Sequence, residues 1–292
     1  MSRSNFNIES VGDRNGNHTP LAQALLYARP EITDQLLTHH ARCDATDFEG
    51  ATTLILALEA KWQTPDQQLG ILERLVECGV DVNTEYVVQN VRPPPKNSAL
   101  RVALKTGNAP AAAWLLSAGA HLTTPLANGE TDLHFAAASI HDASIIESLI
   151  AQGAPVDGRA WQGATPFLTA VRNDNRAAIE VLLAHGVDAN EVDSMGSNAL
   201  HRLAEHTPES ADTLPEYLMG HGLSVNLQNK LGQTPLHLAV QLERPAMVKA
   251  ILEHNPDFTL VDREGHTALD IAISKGGLRD CRNAGGQGCH AG

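Results

Sequence analysis

Fourteen histidines and four cysteines are the side chains of this 292-residue sequence best suited to metal or acid–base chemistry. The run His201-Arg202-Leu203-Ala204-Glu205-His206 has the ingredients of a zinc helix. It matches neither H-E-x-x-H nor H-x-x-E-H, and its two imidazoles, five residues apart, do not share a helical face well. Cys281, Cys289 and His290 supply three soft ligands near the C-terminus. They lack a fourth ligand and the short spacing of a zinc knuckle. No Ser or Cys stands in a nucleophile elbow or at motif spacing from a His, and the glycines do not form a phosphate loop after a strand. The expectation is therefore no catalytic residue, no metal site and no cofactor. Three histidines do share one register, His134, His201 and His237, each directly after an apolar residue, Leu133, Leu200 and Leu236.

That register points to the elements that place them. In Gly232-Gln233-Thr234-Pro235-Leu236-His237-Leu238-Ala239, the Gly permits a tight turn, Thr caps a helix and Pro takes the first helical position, where no amide donor is needed. Aligned on its first Leu, the chain returns at Leu21, Leu54, Leu100, Leu133, Phe167, Leu200, Leu236 and Leu269, with spacings of 33, 46, 33, 34, 33, 36 and 33. Three residues on stands an Ala each time, except at Leu203. A small residue there lets stacked helices approach closely. These features resemble the ankyrin repeat and its T-P-L-H-x-A signature. The resemblance implies an all-α solenoid of stacked helix-turn-helix pairs with protruding hairpin fingers, about seven full repeats plus a half. It also implies that His134, His201 and His237 hydrogen-bond within and between repeats.

Each of the first seven anchors is followed by an adjacent apolar pair, from Leu36-Leu37 to Ile251-Leu252, near the end of a second helix. Gly79, Gly119, Gly153, Gly186 and Gly222 come three residues after the pair, where a left-handed C-cap is expected. His40 and Asn255 replace glycine in the first and seventh repeats. Residues 15–276 are thus assigned to repeats, 1–14 to a loop segment and 277–292 to a Gly-rich disordered tail. Insertions fall near 61–68, 84–96 and 206–212; the first and third lengthen inter-helix turns. Within the second, Arg92-Pro93-Pro94-Pro95-Lys96 is expected to project as an extended polyproline segment. The array reads as an excerpt of a longer one, with its last helix frayed. The irregular array is also similar to the ankyrin tract of rabankyrin-like endosomal proteins, where repeats precede a lipid-binding FYVE domain.

In the ankyrin family the two residues before the repeat Gly form the finger tip. Phe48, Trp161, Met195 and Leu231 occupy tips here. Free tips should be polar, so these four are candidates to line a partner-binding concave side. The alternative is that they fold back on neighbouring fingers and stiffen them. The family further implies asparaginyl hydroxylation of Asn83, Asn190 and Asn226, each eight residues after a Leu, although the main role expected of these side chains is turn hydrogen bonding.

A net charge of −13 lacks the basic footprint of a nucleic-acid binder. No apolar run approaches the roughly 20 residues that span a bilayer. Cys43, Cys78, Cys281 and Cys289 lie in unrelated contexts without CxxC spacing, which suggests a reducing compartment. The expectation is a monomeric cytoplasmic scaffold or adaptor for protein partners, without nucleic acid or membrane insertion. Alternatives are an endosome-peripheral adaptor acting with a membrane module outside this chain and, from another class, a metal protein or enzyme.

Overall fold

The computed structural model of the chain describes residues 19–44, 46, 51–87, 96–205 and 213–283, with side chains to 275. It divides into two compact units, Met1–Gly158 and Arg159–Gly292. The first contains α1 (Pro20–Leu26), α2 (Pro30–Thr38), α3 (Thr53–Glu59), α4 (Pro65–Glu77), α5 (Ala99–Lys105), α6 (Ala109–Ser117), α7 (Asp132–Ser139) and α8 (Ala143–Ala151), with a hairpin of β1 (Tyr86–Val87) and β2 (Lys96–Asn97). The second contains α9 (Pro166–Arg172), α10 (Arg176–Ala184), α11 (Ala199–Glu205), α12 (Leu214–Gly220), α13 (Pro235–Gln241), α14 (Pro245–Leu252) and α15 (Ala268–Asn283).

The short helices are held at both ends by their own sequence. Thr19, Ser98, Thr131, Thr165 and Thr234 lie in extended backbone and accept amide hydrogen bonds from the first turn of α1, α5, α7, α9 and α13. In α7 and α13 the His three residues after the cap completes a capping box with its side chain. The second helices terminate in left-handed residues. Gly79, Gly119, Gly153, Gly186 and Gly222 have φ between +81° and +99°, and His40 and Asn255 adopt +59° and +52° in their place, as the spacing predicts.

In the first unit α1, α3, α5 and α7 stack as an inner row and α2, α4, α6 and α8 as an outer row. The anchors Leu21, Leu54, Leu100 and Leu133 and the alanines three residues on are buried between them. One insertion resolves differently from the sequence expectation. Near residue 61 only part of the extra length enters the turn. The rest lengthens α4 to 13 residues, against seven to nine in the other second helices. The wider turn is closed from the carbonyl end of α3, where Trp62 Nε1 and Gln68 Nε2 donate to the Ala57 carbonyl at 2.6 and 2.9 Å. The described ends of the 84–96 insertion form the antiparallel β1–β2 pair, with Tyr86 opposite Asn97 and Val87 opposite Lys96. Residues 92–95, to which the extended polyproline segment was assigned, lie outside the described residues, as do the 206–212 insertion and the 1–14 segment.

Cys43 and Cys78 are joined by a disulfide across 35 residues, with their Cα atoms 6.2 Å apart. This corrects the reading of four cysteines in unrelated contexts. Stacking turns a sequence distance of about one repeat into spatial adjacency, so a pair without local spacing meets. The cysteine pattern is therefore no argument for a reducing compartment.

In the second unit α9, α11, α13 and α15 form the inner row and α14 packs on α12. Phe167, Leu200 and Leu236 repeat the buried anchor, whereas Leu269 in α15 is 64% exposed. A second correction concerns the C-terminal boundary. The tail was expected to begin disordered at residue 277, but α15 runs unbroken through Gly276 and Gly277 to Asn283. Each helical Gly costs only about 1 kcal/mol relative to Ala. The six residues that follow, Leu278 to Asn283, carry no helix breaker.

Candidate functional site

The second unit carries an unusual surface at its fingers. Fingers close on themselves by paired backbone bonds: Ala160 N–H donates to the Ala164 carbonyl, Asp193 to Ser197, Asn229 to Gln233 and Asp262 to His266. Within three of them a carboxylate or amide oxygen ties the tip. Asp193 Oδ1 accepts from the Met195 and Ser197 amides at 2.7 and 3.0 Å, Asn229 Oδ1 from the Leu231 amide at 2.9 Å, and Asp262 Oδ1 from the Glu264 and His266 amides at 2.9 Å. The pattern Asp/Asn-x-x-Gly is the local signal for these turns.

Successive tips are then stitched together. The Ser194 amide donates to the Gln162 carbonyl at 2.8 Å, Lys230 to Met195 at 2.8 Å and Arg263 to Leu231 at 2.9 Å. Two side chains clamp neighbouring fingers at one register. Arg159 Nη1 donates to the carbonyls of Gly163 and Val192, and Gln228 Nε2 to those of Gly232 and Val261. The approach is close enough to demand glycine. A Cβ at Gly163 would lie 2.8 Å from the Ser194 nitrogen, and one at Gly232 would lie 2.9 Å from the Arg263 nitrogen.

On this ladder Trp161 is 55% exposed, Met195 43% and Leu231 45%. Met195 and Leu231 hold equivalent positions, and Trp161 stands one residue earlier in a single 3-10 turn, Trp161–Gly163. Phe48, the fourth candidate, lies outside the described residues. Sequence reading missed the inter-finger rungs and the Arg159 and Gln228 clamps, because nothing local marks a partner about one repeat away.

The three asparagines named for hydroxylation are hydrogen-bonded between repeats. Asn83 Oδ1 accepts from the His121 amide and its Nδ2 donates to the Gly119 carbonyl, at 2.8 and 3.1 Å. Asn190 does the same with the Ser224 amide and Gly222 carbonyl, at 2.8 and 3.0 Å. Asn226 Oδ1 accepts from the Asp257 amide at 2.8 Å. Bonding within the turn is expected of these side chains; the bonds they make instead bridge to the next repeat, 31 to 38 residues away.

The histidines are structural too. His134 and His237 are buried and each approaches its capping Thr hydroxyl at 2.8 Å through Nδ1. His201 Nε2 lies 2.9 Å from the Gln233 carbonyl, and burial holds its pKa below the ordinary imidazole value. Among the described residues no three His, Cys, Asp or Glu side chains converge on a metal-sized site; His206, Cys289 and His290 lie outside them. Nor is any described helix long and apolar enough to cross a membrane.

Comparison with known proteins agrees with this geometry. A family model for ankyrin repeats (3 copies) matches residues 133–215 and 200–283. Mouse Rabankyrin-5 is 31% identical over 208 residues, 63% of this chain, and human neurogenic locus notch homolog protein 1 is 33% identical over 143 residues, 49% of this chain. The matched segments amount to 18% and 5% of those two proteins. The crystal structure of the human ASB11 ankyrin repeat domain is similar with a TM-score of 0.62 and 25% identity, covering 82% of this chain and 99% of that one. With the repeat register, the capping boxes and the stitched fingers, these matches show that the chain belongs to the ankyrin repeat family.

Proposed function

We propose that this chain is a protein-interaction scaffold or adaptor whose second unit grips its partner on the finger row of Trp161, Met195 and Leu231. The supporting observation is that three large apolar side chains stand exposed on a hydrogen-bonded ladder that holds their backbones in place. Exposed apolar side chains on a rigid support are what an interface needs: ordering entropy is already lost, and each side chain buried contributes about 1.5–3 kcal/mol. Phe48 is the corresponding tip residue assigned to the first unit from sequence. The test is affinity for a partner recovered by crosslinking, measured with Trp161→Ala and Leu231→Asp. A loss of about tenfold or more with unchanged melting temperature is expected, since tenfold is about 1.4 kcal/mol. Unchanged affinity with a lower melting temperature would instead assign these side chains to stiffening the fingers.

A narrower reading rests on the similarity to Rabankyrin-5. In it the array is the interaction tract of an endosome-peripheral adaptor and the membrane-binding module lies outside this chain. Co-sedimentation of the isolated chain with anionic vesicles would contradict that division of labour. Hydroxylation of Asn83, Asn190 and Asn226 belongs with either reading as a modification added to their bridging role. Intact mass should rise by whole oxygen atoms after incubation with an asparaginyl hydroxylase, and an unchanged mass removes it.

A further inference from the structure

The junction between the first and second repeats is fastened differently from others in the chain. At three junctions a carboxamide, four residues after the left-handed end of a second helix, bridges to the next repeat. Asn83 reaches the Gly119 carbonyl and the His121 amide, Asn190 the Gly222 carbonyl and the Ser224 amide, and Asn226 the Asp257 amide. The residue in that register after His40 is Asp44. Asp44 has no amide to donate to the Gly79 carbonyl, and its carboxylate is turned to Arg42 Nε at 3.1 Å. Cys43 and Cys78, each one residue before the positions that a carboxamide would join, carry the covalent bridge. The disulfide thus stands where a carboxamide clamp stands at those other junctions.

Without the bridge, the principal ties that remain are the packing of α1 on α3 and of α2 on α4, the bond from Thr53 Oγ1 to the Cys43 carbonyl at 2.6 Å, and a surface contact of Arg74 with Asp34 and Thr38. Surface ion pairs contribute little. Ala28 and His40, within the first repeat, hold left-handed φ of +46° and +59°, a conformation that costs any residue with a Cβ. The two cysteines also differ in access. Cys43 is buried, at 4% exposure, whereas Cys78 ends α4 as its C-cap and is exposed. A thiolate must reach the sulfur that it attacks, so exchange begins at Cys78.

We propose that Cys43–Cys78 is a thiol-exchange site that latches the first repeat, residues 20–44, to the array, and that its reactant is a dithiol. One thiolate of the dithiol bonds to Cys78 Sγ as the S–S bond breaks, and Cys43 Sγ leaves with the bonding pair and takes up a proton. The second thiol then displaces Cys78, so the reactant departs as a cyclic disulfide, two electrons pass to the bridge and both cysteines end as thiols. A disulfide oxidant runs the same steps in reverse. With the latch open, the first repeat opens locally at lower free energy than the repeats behind it, because each repeat of a solenoid is held only by its neighbours. This site is independent of the finger row.

Two measurements on the full chain test the proposal. After a brief exposure to reduced glutathione and an acid quench, peptide mapping by mass spectrometry should find the mixed disulfide on Cys78; an adduct on Cys43, or on neither, would overturn the site. Amide hydrogen exchange reads the release. Dithiothreitol should speed exchange in residues 20–44 by roughly tenfold or more and leave residues 99–151 as protected as before. Cys43→Ala with Cys78→Ala should exchange as the reduced chain does, with and without dithiothreitol. Asp44→Asn, which restores the carboxamide, should slow exchange in residues 20–44 of the reduced chain. No change on reduction, an equal change throughout the first unit, or no slowing by Asp44→Asn would each overturn the proposal.

Discussion

Arg101 Nε donates to Asp132 Oδ1 at 2.7 Å with both side chains buried from solvent. The guanidinium's other nitrogens reach the carbonyls of Lys96 and Thr124 at 2.9 and 2.8 Å, and the second carboxylate oxygen accepts from the Thr123 amide. The pair therefore fastens β2 and the irregular segment at Thr123–Thr124 to the stack of α5 and α7. Asp132→Ala is expected to destabilise the first unit by about 3–5 kcal/mol, because it leaves a buried cation without its counter-charge. The double variant Arg101→Met with Asp132→Leu should recover much of that loss. Chemical denaturation of the three proteins measures both effects.

The disulfide of Cys43 and Cys78 closes a long loop in the same unit. Loop-closure entropy assigns such a bridge about 2–4 kcal/mol. Dithiothreitol should lower the melting temperature of the wild-type chain and leave that of Cys78→Ser unchanged. Equal shifts in both proteins would mean that the bridge contributes nothing.

Glycines at left-handed positions should separate into two classes. Gly186 has φ +81° with no atom within 4 Å of a built Cβ, so Gly186→Ala carries only the left-handed penalty of about 1–2 kcal/mol. Gly232 has φ +73° and backbone atoms of Asp262 and Arg263 at 2.9–3.0 Å. Gly232→Ala must push the next finger away as well, and should cost clearly more. It should also weaken binding at Leu231 where Gly186→Ala does not.

Acid should loosen the second unit through His201. Its folded-state pKa lies below the ordinary 6.5 chiefly because the ring is buried, so the unfolded chain takes up the proton first. The stability from a neutral His201 is complete above pH 6.5 and declines as pH falls below it, levelling once the folded imidazole also protonates. Melting temperatures across pH 8 to 5 should show this decline, and His201→Gln should flatten it. A wild-type profile as flat as that of the variant would exclude His201 as the cause.

Much of the fold was legible in residue order. Anchors one repeat apart, a Thr or Ser before most of the first helices and a Gly, His or Asn after the second are local requirements of a capped helix pair. Local backbone chemistry enforces them, so Leu21, Thr234 and Gly186 announced their roles. The finger-tip positions of Trp161, Met195 and Leu231 followed from the same register, through the family resemblance, but their exposure did not, since residue order left open that they fold back on neighbouring fingers.

Other features depend on what stands one repeat away. The Cys43–Cys78 bridge, the Arg101–Asp132 pair, the Arg159 and Gln228 clamps and the Gln162–Ser194 rung all join residues 31 to 35 positions apart. No local pattern encodes such pairs, because their partners are chosen by stacking. Whether extra residues lengthen a turn or a helix, as near Trp62, was decided by which carbonyls at the end of α3 needed donors. The passage of α15 through Gly276 and Gly277 was likewise decided by the helix that contains them and not by the flexibility of glycine. The sequence by itself determined the repeat and its period; tertiary stacking decided which side chains meet between repeats, since contact across a solenoid is a property of neighbouring units and not of either one alone.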